Sequence, residues 1–101
     1  MLSIGSVVRL KNGNHDLMII TKNVFSTDGK RTLFFDYGSC LYPEGLDPDT
    51  MYYFNQKDIK NIVFEGFKND LENKQDKLMS EWVNKNDEEI AKIRGQVTQT
   101  N

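Results

Sequence analysis

Met51-Tyr-Tyr-Phe-Asn-Gln-Lys-Asp-Ile-Lys-Asn-Ile-Val-Phe64 combines two short β-rich runs with a polar segment between them. Met51 to Phe54 is a β-rich aromatic run. Asn55 to Asp58 has the make-up of one helical turn, and Ile59 to Phe64 returns to strand. One helical turn before a last short strand, with earlier strands upstream, points to a small SH3-like barrel of five strands. Barrel closure also hides the sheet edges that otherwise invite aggregation.

Upstream, the chain keeps a strand-and-turn rhythm. Ser6 to Leu10 is short and partly alternating, and Lys11-Asn-Gly-Asn-His-Asp16 supplies a turn, since Asn and Gly both tolerate positive φ. Leu17-Met-Ile-Ile-Thr21 is a second strand running on toward Val24-Phe25. Ser26-Thr-Asp-Gly29 is a second turn and Thr32 to Tyr37 a third strand. Gly38 marks a bend or bulge, and Ser39 to Tyr42 either continues that strand or opens the next. Pro43-Glu-Gly-Leu-Asp-Pro-Asp-Thr50 holds both prolines of the chain and reads as a loop.

Downstream of Asn69 the apolar period changes from two to 3.6. Asn69 with Glu72 forms an N-cap pair of capping-box type. Phe67, Leu71, Leu78, Met79, Trp82, Val83, Ile90, Ile93 and Val97 fall within an arc of about 160° on a helical wheel. Asp70/Lys74, Glu81/Lys85 and Glu88/Lys92 lie on the other side as favourable i,i+4 pairs. The spacing predicts one long amphipathic helix, roughly 39 Å from residue 69 to 94. Asn86 with Glu89 repeats the capping pattern, so a break there is the alternative. The expected architecture is therefore α+β: an SH3-like β domain over residues 1–66, then a C-terminal helix and frayed polar tail over residues 67–101.

Bulk composition narrows the function classes. With 101 residues, 38% hydrophobic and 28% charged, the chain has room for one modest core. Residues 1–66 carry seven Lys/Arg against eight Asp/Glu, and residues 67–101 six against seven. Neither part has the basic excess that dominates nucleic-acid affinity, so nucleic acid is not expected as a partner. No leader-like stretch opens the sequence and no apolar run nears the span of a bilayer, so membrane insertion is not expected. Cys40 is the single cysteine; it fits a reducing cytoplasm and allows no internal disulfide.

Catalytic chemistry is thinly supplied. His15, the single histidine, sits in a turn beside Asn14 and Asp16 and reads as a surface residue. Cys40 lies in an apolar setting that favours a buried structural thiol over a nucleophile. One Cys and one His do not make a structural zinc site. Asp47 and Asp49 flank Pro48 with no calcium-loop pattern behind them, and no phosphate-binding glycine motif is present. No cofactor, metal site or catalytic residue is expected.

The aromatic and apolar surface is the better lead. Tyr37, Tyr42, Tyr52, Tyr53 and Phe54 occupy consecutive strands, so alternation turns some of them outward. Exposed tyrosine is enriched at interfaces because it buries a large area and keeps a polar tip. The competing reading places them in the barrel core with hydroxyls at the rim. Trp82 lies mid-stripe and packs the helix onto the barrel or onto a partner helix.

Ile4-Gly-Ser-Val-Val-Arg-Leu-Lys-Asn-Gly13, Leu17-Met-Ile-Ile20, Tyr37-Gly-Ser-Cys-Leu-Tyr-Pro-Glu-Gly45 and Tyr53-Phe-Asn-Gln-Lys-Asp-Ile59, ending in Phe64-Glu-Gly66, resemble a bacterial family of unknown function. Its members are small proteins encoded in type VII secretion loci of Gram-positive bacteria, often beside LXG-type toxins. The resemblance covers residues 3–66, and Leu-Tyr-Pro-Glu-Gly is its most specific part. It implies a role in secretion or toxin handling and carries no catalytic residues over.

The reading that follows is a cytoplasmic, non-enzymatic accessory or adaptor protein that binds a secretion substrate, toxin or secretion component. The alternative is an immunity protein neutralising a cognate toxin. The candidate protein-binding residues are Leu41, Tyr42, Glu44 and Leu46 of the Pro-Glu-Gly loop, Tyr52 and Tyr53 of the next strand, and Leu78, Trp82, Ile90 and Ile93 of the helix. A stripe left uncovered by the β domain also makes a homodimer through the helix an expected outcome.

Overall fold

The computed structural model describes residues 1–97. Strands β1 (Val7–Leu10), β2 (Asp16–Asp28), β3 (Arg31–Tyr42), β4 (Tyr52–Phe54) and β5 (Ile59–Phe64) are followed by helices α1 (Asp70–Lys85) and α2 (Asp87–Ile93). The five strands form one antiparallel sheet in the order β4-β3-β2-β1-β5. A 3-10 turn, Gln56–Asp58, joins β4 to β5, at the position where the sequence places a helical turn. The Asp58 carboxylate accepts from Asn55 N at 2.8 Å and fixes that turn.

The long β2–β3 hairpin is the backbone of the fold. It closes at Gly29, whose φ of +63° only glycine adopts freely, so that Asp28 pairs with Arg31. Its register slips between Ile19 and Thr21, opposite Ser39 and Gly38. The expected bulge is there, with its extra residue on β2. Gly38 serves it by leaving room: a Cβ at this position would come within 2.6 Å of the Thr21 methyl. Bulges strengthen the local twist, and the curled sheet wraps Val8, Leu10, Leu17, Ile19, Tyr37 and Phe54 into the core. Leu2, Leu41, Tyr52, Ile59 and Val97 pack around that cluster.

Two expectations are corrected. The sheet is open, where a closed five-stranded barrel was expected. β4 has three residues, all paired to β3, and β5 pairs with β1, so the two strands form the two free edges. The single long helix is two helices that part at Asn86, the alternative the capping pattern allowed. Asn86 leaves helical geometry (φ −117°, ψ 27°), and its side chain donates to Trp82 O at 2.8 Å. That turn separates the apolar stripe into two parts with opposite fates. The expected frayed tail lies, from residue 98 onward, outside the described residues.

α2 docks on the sheet through a single buried residue. Ile90 is 4% exposed, and the chain after α2 runs beside β3, with Arg94 bridged to Phe34. Gly95 N donates to Phe34 O at 2.9 Å, and Arg94 lies over the Phe34 ring and pairs with Asp36 at 2.8 Å. Buried Asn55 ties these together, donating to Gly95 O and accepting from Arg94 and from Asp36 N.

Candidate binding surfaces

α1 is held to the sheet by its polar side. Asn69 caps it, its side chain accepting from Glu72 N at 3.0 Å. The Glu72 carboxylate does not reach back to complete a capping box. It accepts instead from Ile4 N at 3.0 Å and from Lys22 Nζ at 2.6 Å. One turn on, Asp76 takes a second bond from Lys22 at 2.6 Å, and Lys68 lies 2.9 Å from its other oxygen. Lys68 also donates to Met1 O. Lys22 is 7% exposed, so this is an ion-paired cluster well shielded from water.

The electrostatics follow from that packing. Burial, the largest influence on Lys22, pulls its ammonium pKa down, but the hydrogen bonds and charges of Asp76 and Glu72 outweigh it and raise the value. The Lys22 hydrogen bond is the main reason Glu72 lies below the usual carboxylate range. For Asp76, burial pushes upward, and Lys22 with Lys68 more than reverses it, leaving a lowered value.

Turning Glu72 and Asp76 inward forces the apolar stripe of α1 outward. Leu71 is 74% exposed, Leu78 63% and Trp82 41%, and Phe67, just ahead of the helix, is 78% exposed. Trp82 is the partly sheltered member, meeting Phe25 edge-on at 6.1 Å between ring centroids.

A second apolar surface lies along the β1–β5 edge. β5 alternates poorly: Ile62, Val63 and Phe64 are all about half exposed or more. Val63 and Phe64 join Val7, Met18, Tyr42, Gly5 and Asp16 around an open groove of about 470 Å³. Across the molecule, Asn23, Asp36, Gln56, Ser80 and Asn84 contribute to a more polar cleft of about 400 Å³ beneath the end of α1.

Neither residue considered for nucleophilic chemistry stands in these surfaces. His15 is exposed in the β1–β2 turn, and Cys40 is a buried free thiol. Among the described residues no cluster of His, Cys, Asp and Glu is placed to hold a metal ion. No helix among them is long and apolar enough to cross a membrane.

A family model described as a domain of unknown function, DUF4176, matches residues 1–75. The chain belongs to the DUF4176 family. No curated protein and no solved structure matches it. The DUF4176 match takes in all five strands and the start of α1, including Glu72, and stops one residue short of Asp76.

Within the DUF4176 segment, the candidate residues separate by environment. Tyr42, at the end of β3, and Glu44 and Leu46, on the loop that follows, stand exposed, and Tyr42 reaches the groove. The Tyr42–Pro43 bond is cis. Gly45 N donates to Leu41 O at 2.8 Å and closes the turn. Leu41 and Tyr52 pack against the core, and Tyr53 stacks on Phe35 at 5.4 Å. Beyond the segment, Leu78 and Trp82 face outward, Ile93 is half-buried and Ile90 lies in the chain's own core.

Sequence reasoning missed Val63 and Phe64 as surface residues, and with them the groove that buried Val7 and half-buried Met18 help to line. The available signal was three consecutive apolar residues, Ile62-Val-Phe64, in the last strand, which a one-sided strand does not need. It also missed the Lys22–Glu72–Asp76 cluster, for which nothing local signals a partner fifty residues away.

Proposed function

We propose that this DUF4176 protein is a non-enzymatic accessory protein that seats an extended segment of a client protein along β5 and in the groove beside it. One observation carries the reading: Val63 and Phe64, 55% and 60% exposed on a free edge strand, open onto the groove formed with Val7, Met18 and Tyr42. A free edge offers backbone donors and acceptors to an added strand, and the groove beside it takes alternate side chains of that strand. Soluble proteins usually blunt such an edge with charge, and in β5 the one charged residue is Lys60. The resemblance of the sequence supplies the setting: the cytoplasm of a Gram-positive bacterium, with an LXG-type toxin, another type VII secretion substrate or a secretion component as client.

The test is co-expression with an LXG-type toxin from a type VII secretion locus of a Gram-positive bacterium, followed by purification of the toxin. The full chain is expected to co-purify, and Val63→Lys with Phe64→Ser is expected to abolish this while the melting temperature holds. Co-purification unaffected by the double variant overturns the groove as the site.

The exposed acidic loop beside Tyr42, with Glu44, Asp47 and Asp49, supports a second reading as an immunity protein, because acidic surfaces complement basic toxins. Cells expressing the toxin decide between them: an immunity protein protects them and an adaptor does not.

A further inference from the structure

Residues 87–97, α2 and the segment after it, form an arm that docks on the sheet mainly at its far end. Ile90 is buried, Gly95 N donates to Phe34 O, Gly95 O accepts from Asn55, and Arg94 pairs with Asp36. The arm joins α1 through one residue outside helical geometry, Asn86. On both sides of Asn86 helical hydrogen bonds are already in place: its N–H donates to Trp82 O at 3.1 Å, and its carbonyl accepts from Ile90 N at 2.9 Å. Bringing its φ of −117° and ψ of 27° to helical values joins α1 and α2 into one helix over residues 70–93.

The chain carries features that favour each state of this hinge. A continuous helix pairs the N–H groups of Asp87, Glu88 and Glu89 with the last carbonyls of α1, groups that helix ends leave without intrahelical partners. The sequence fits it too, since Leu78, Trp82, Ile90 and Ile93 keep one helical stripe. The break is favoured by the Asn86 side chain, which donates to Trp82 O at 2.8 Å. Charges suited to two helix ends favour it as well: Lys85 in the last turn of α1, and the three acids in the first turn of α2.

We infer that this hinge lets two copies of the chain exchange arms, residues 87–97 of each docking on the sheet of the other. A continuous helix carries the arm off its own β3. An arm left undocked would deprive buried Asn55 of its Gly95 and Arg94 partners, and buried polar groups without partners are costly. A second copy restores those contacts, because it offers the same Phe34, Asp36 and Asn55, so exchange costs only the association and the change at the hinge. The arm docks on β3, near the β4 edge of the sheet, and β5 is the opposite edge, so an exchanged dimer presents two free grooves.

Refolding the full chain from urea at rising concentration, followed by sedimentation equilibrium, tests the inference independently of the groove, since Val63 and Phe64 take no part. Within one chain the arm meets its own sheet at an effective concentration on the order of 1 mM, so the natural chain is expected to dimerise only near that concentration. Asn86→Ala favours the continuous helix and is expected to tighten the dimer roughly ten-fold, while Asn86→Gly, the poorer helix former, weakens it. A second experiment reads the exchange itself. Asp36→Arg and Arg94→Asp chains each set like charges between the arm and its own sheet. Mixed and refolded together, they are expected to form a mixed dimer, because each arm then finds the opposite charge on the other copy's sheet. An Asn86→Ala chain that stays monomeric at about 1 mM, a dimer whose strength ignores residue 86, or charge-reversed chains that associate no better mixed than alone overturns it.

Discussion

Lys22 Nζ lies 2.6 Å from Asp76 Oδ1, joining the middle of β2 to the second turn of α1. With the Glu72 bond from the same ammonium, it decides which face of α1 meets the sheet. Lys22→Met is therefore expected to loosen α1 while leaving the strands in place. Removing one partner of a buried ion pair costs about 3–5 kcal/mol. Lys68 remains beside Asp76 at 2.9 Å, so the loss here is about 2 kcal/mol on the same scale. Urea unfolding measures the loss, and amide exchange locates it in residues 70–85. Unchanged protection of those amides would remove Lys22 from this role.

The same cluster sets a pH dependence. Glu72 and Asp76 titrate below their ordinary values of 4.5 and 3.8 in the folded chain. Their contribution is full above those ordinary values and is lost as pH falls through the lowered folded ones. Lys22, raised above 10.5, contributes fully below that value and loses its contribution as pH climbs through the raised one. Stability is expected to stay level near neutrality and to fall below about pH 4.5. Thermal unfolding across pH checks this, with Asp76→Asn expected to shrink the acid limb. An acid limb of unchanged size in that variant contradicts the assignment.

Asn55 is the corresponding anchor for α2. At 1% exposure it accepts from Asp36 N and Arg94 and donates to Gly95 O, at 2.8–3.1 Å. Asn55→Ala leaves several buried polar groups without partners, an expected loss of about 3 kcal/mol. The denaturation midpoint should fall and Ile90 should become accessible to exchange. A loss under about 0.5 kcal/mol, the usual range for surface substitutions, rejects this account.

Local chemistry carried most of the fold. Ile59–Phe64 as a strand, the turn at Gln56–Asp58 and the Asn69 cap all follow from side chains that act on their own backbone. The break at Asn86 was legible as an alternative for the same reason. Closure was not legible, because it depends on whether β4 and β5 meet, and no residue in Tyr52–Phe54 reports its distance from Ile59–Phe64. The orientation of α1 was hidden for a different reason. A helical wheel assumes that the apolar face turns inward, and Lys22, in the polar middle of β2 between Ile20 and Val24, reverses it by pairing with Glu72 and Asp76. So of the stripe residues proposed as contacts, Leu78 and Trp82 stay exposed, while Ile90 is buried once Asn86 turns the chain. Val63 and Phe64 were read as ordinary strand residues because a barrel would have covered them.

Gly95 tests whether the segment after α2 is part of one folded unit with the sheet. It is buried, its N–H donates to Phe34 O at 2.9 Å, and its carbonyl accepts from Asn55. Its backbone lies outside the left-handed region, so alanine meets no conformational penalty there. The obstacle is space: a methyl group at this position overlaps the Phe35 ring. That ring is 5% exposed and stacked on Tyr53, which leaves it little room to swing aside. Overpacking of this kind costs about 1–3 kcal/mol, enough to lower the melting temperature by roughly 10 °C in a chain of this size. Phe35→Leu makes room for the methyl, so the double variant Gly95→Ala with Phe35→Leu should be less destabilised than the sum of its singles. Calorimetry of the four proteins measures that coupling. Strict additivity would mean the two residues do not share this space, and that residues 94–97 are not locked against β3.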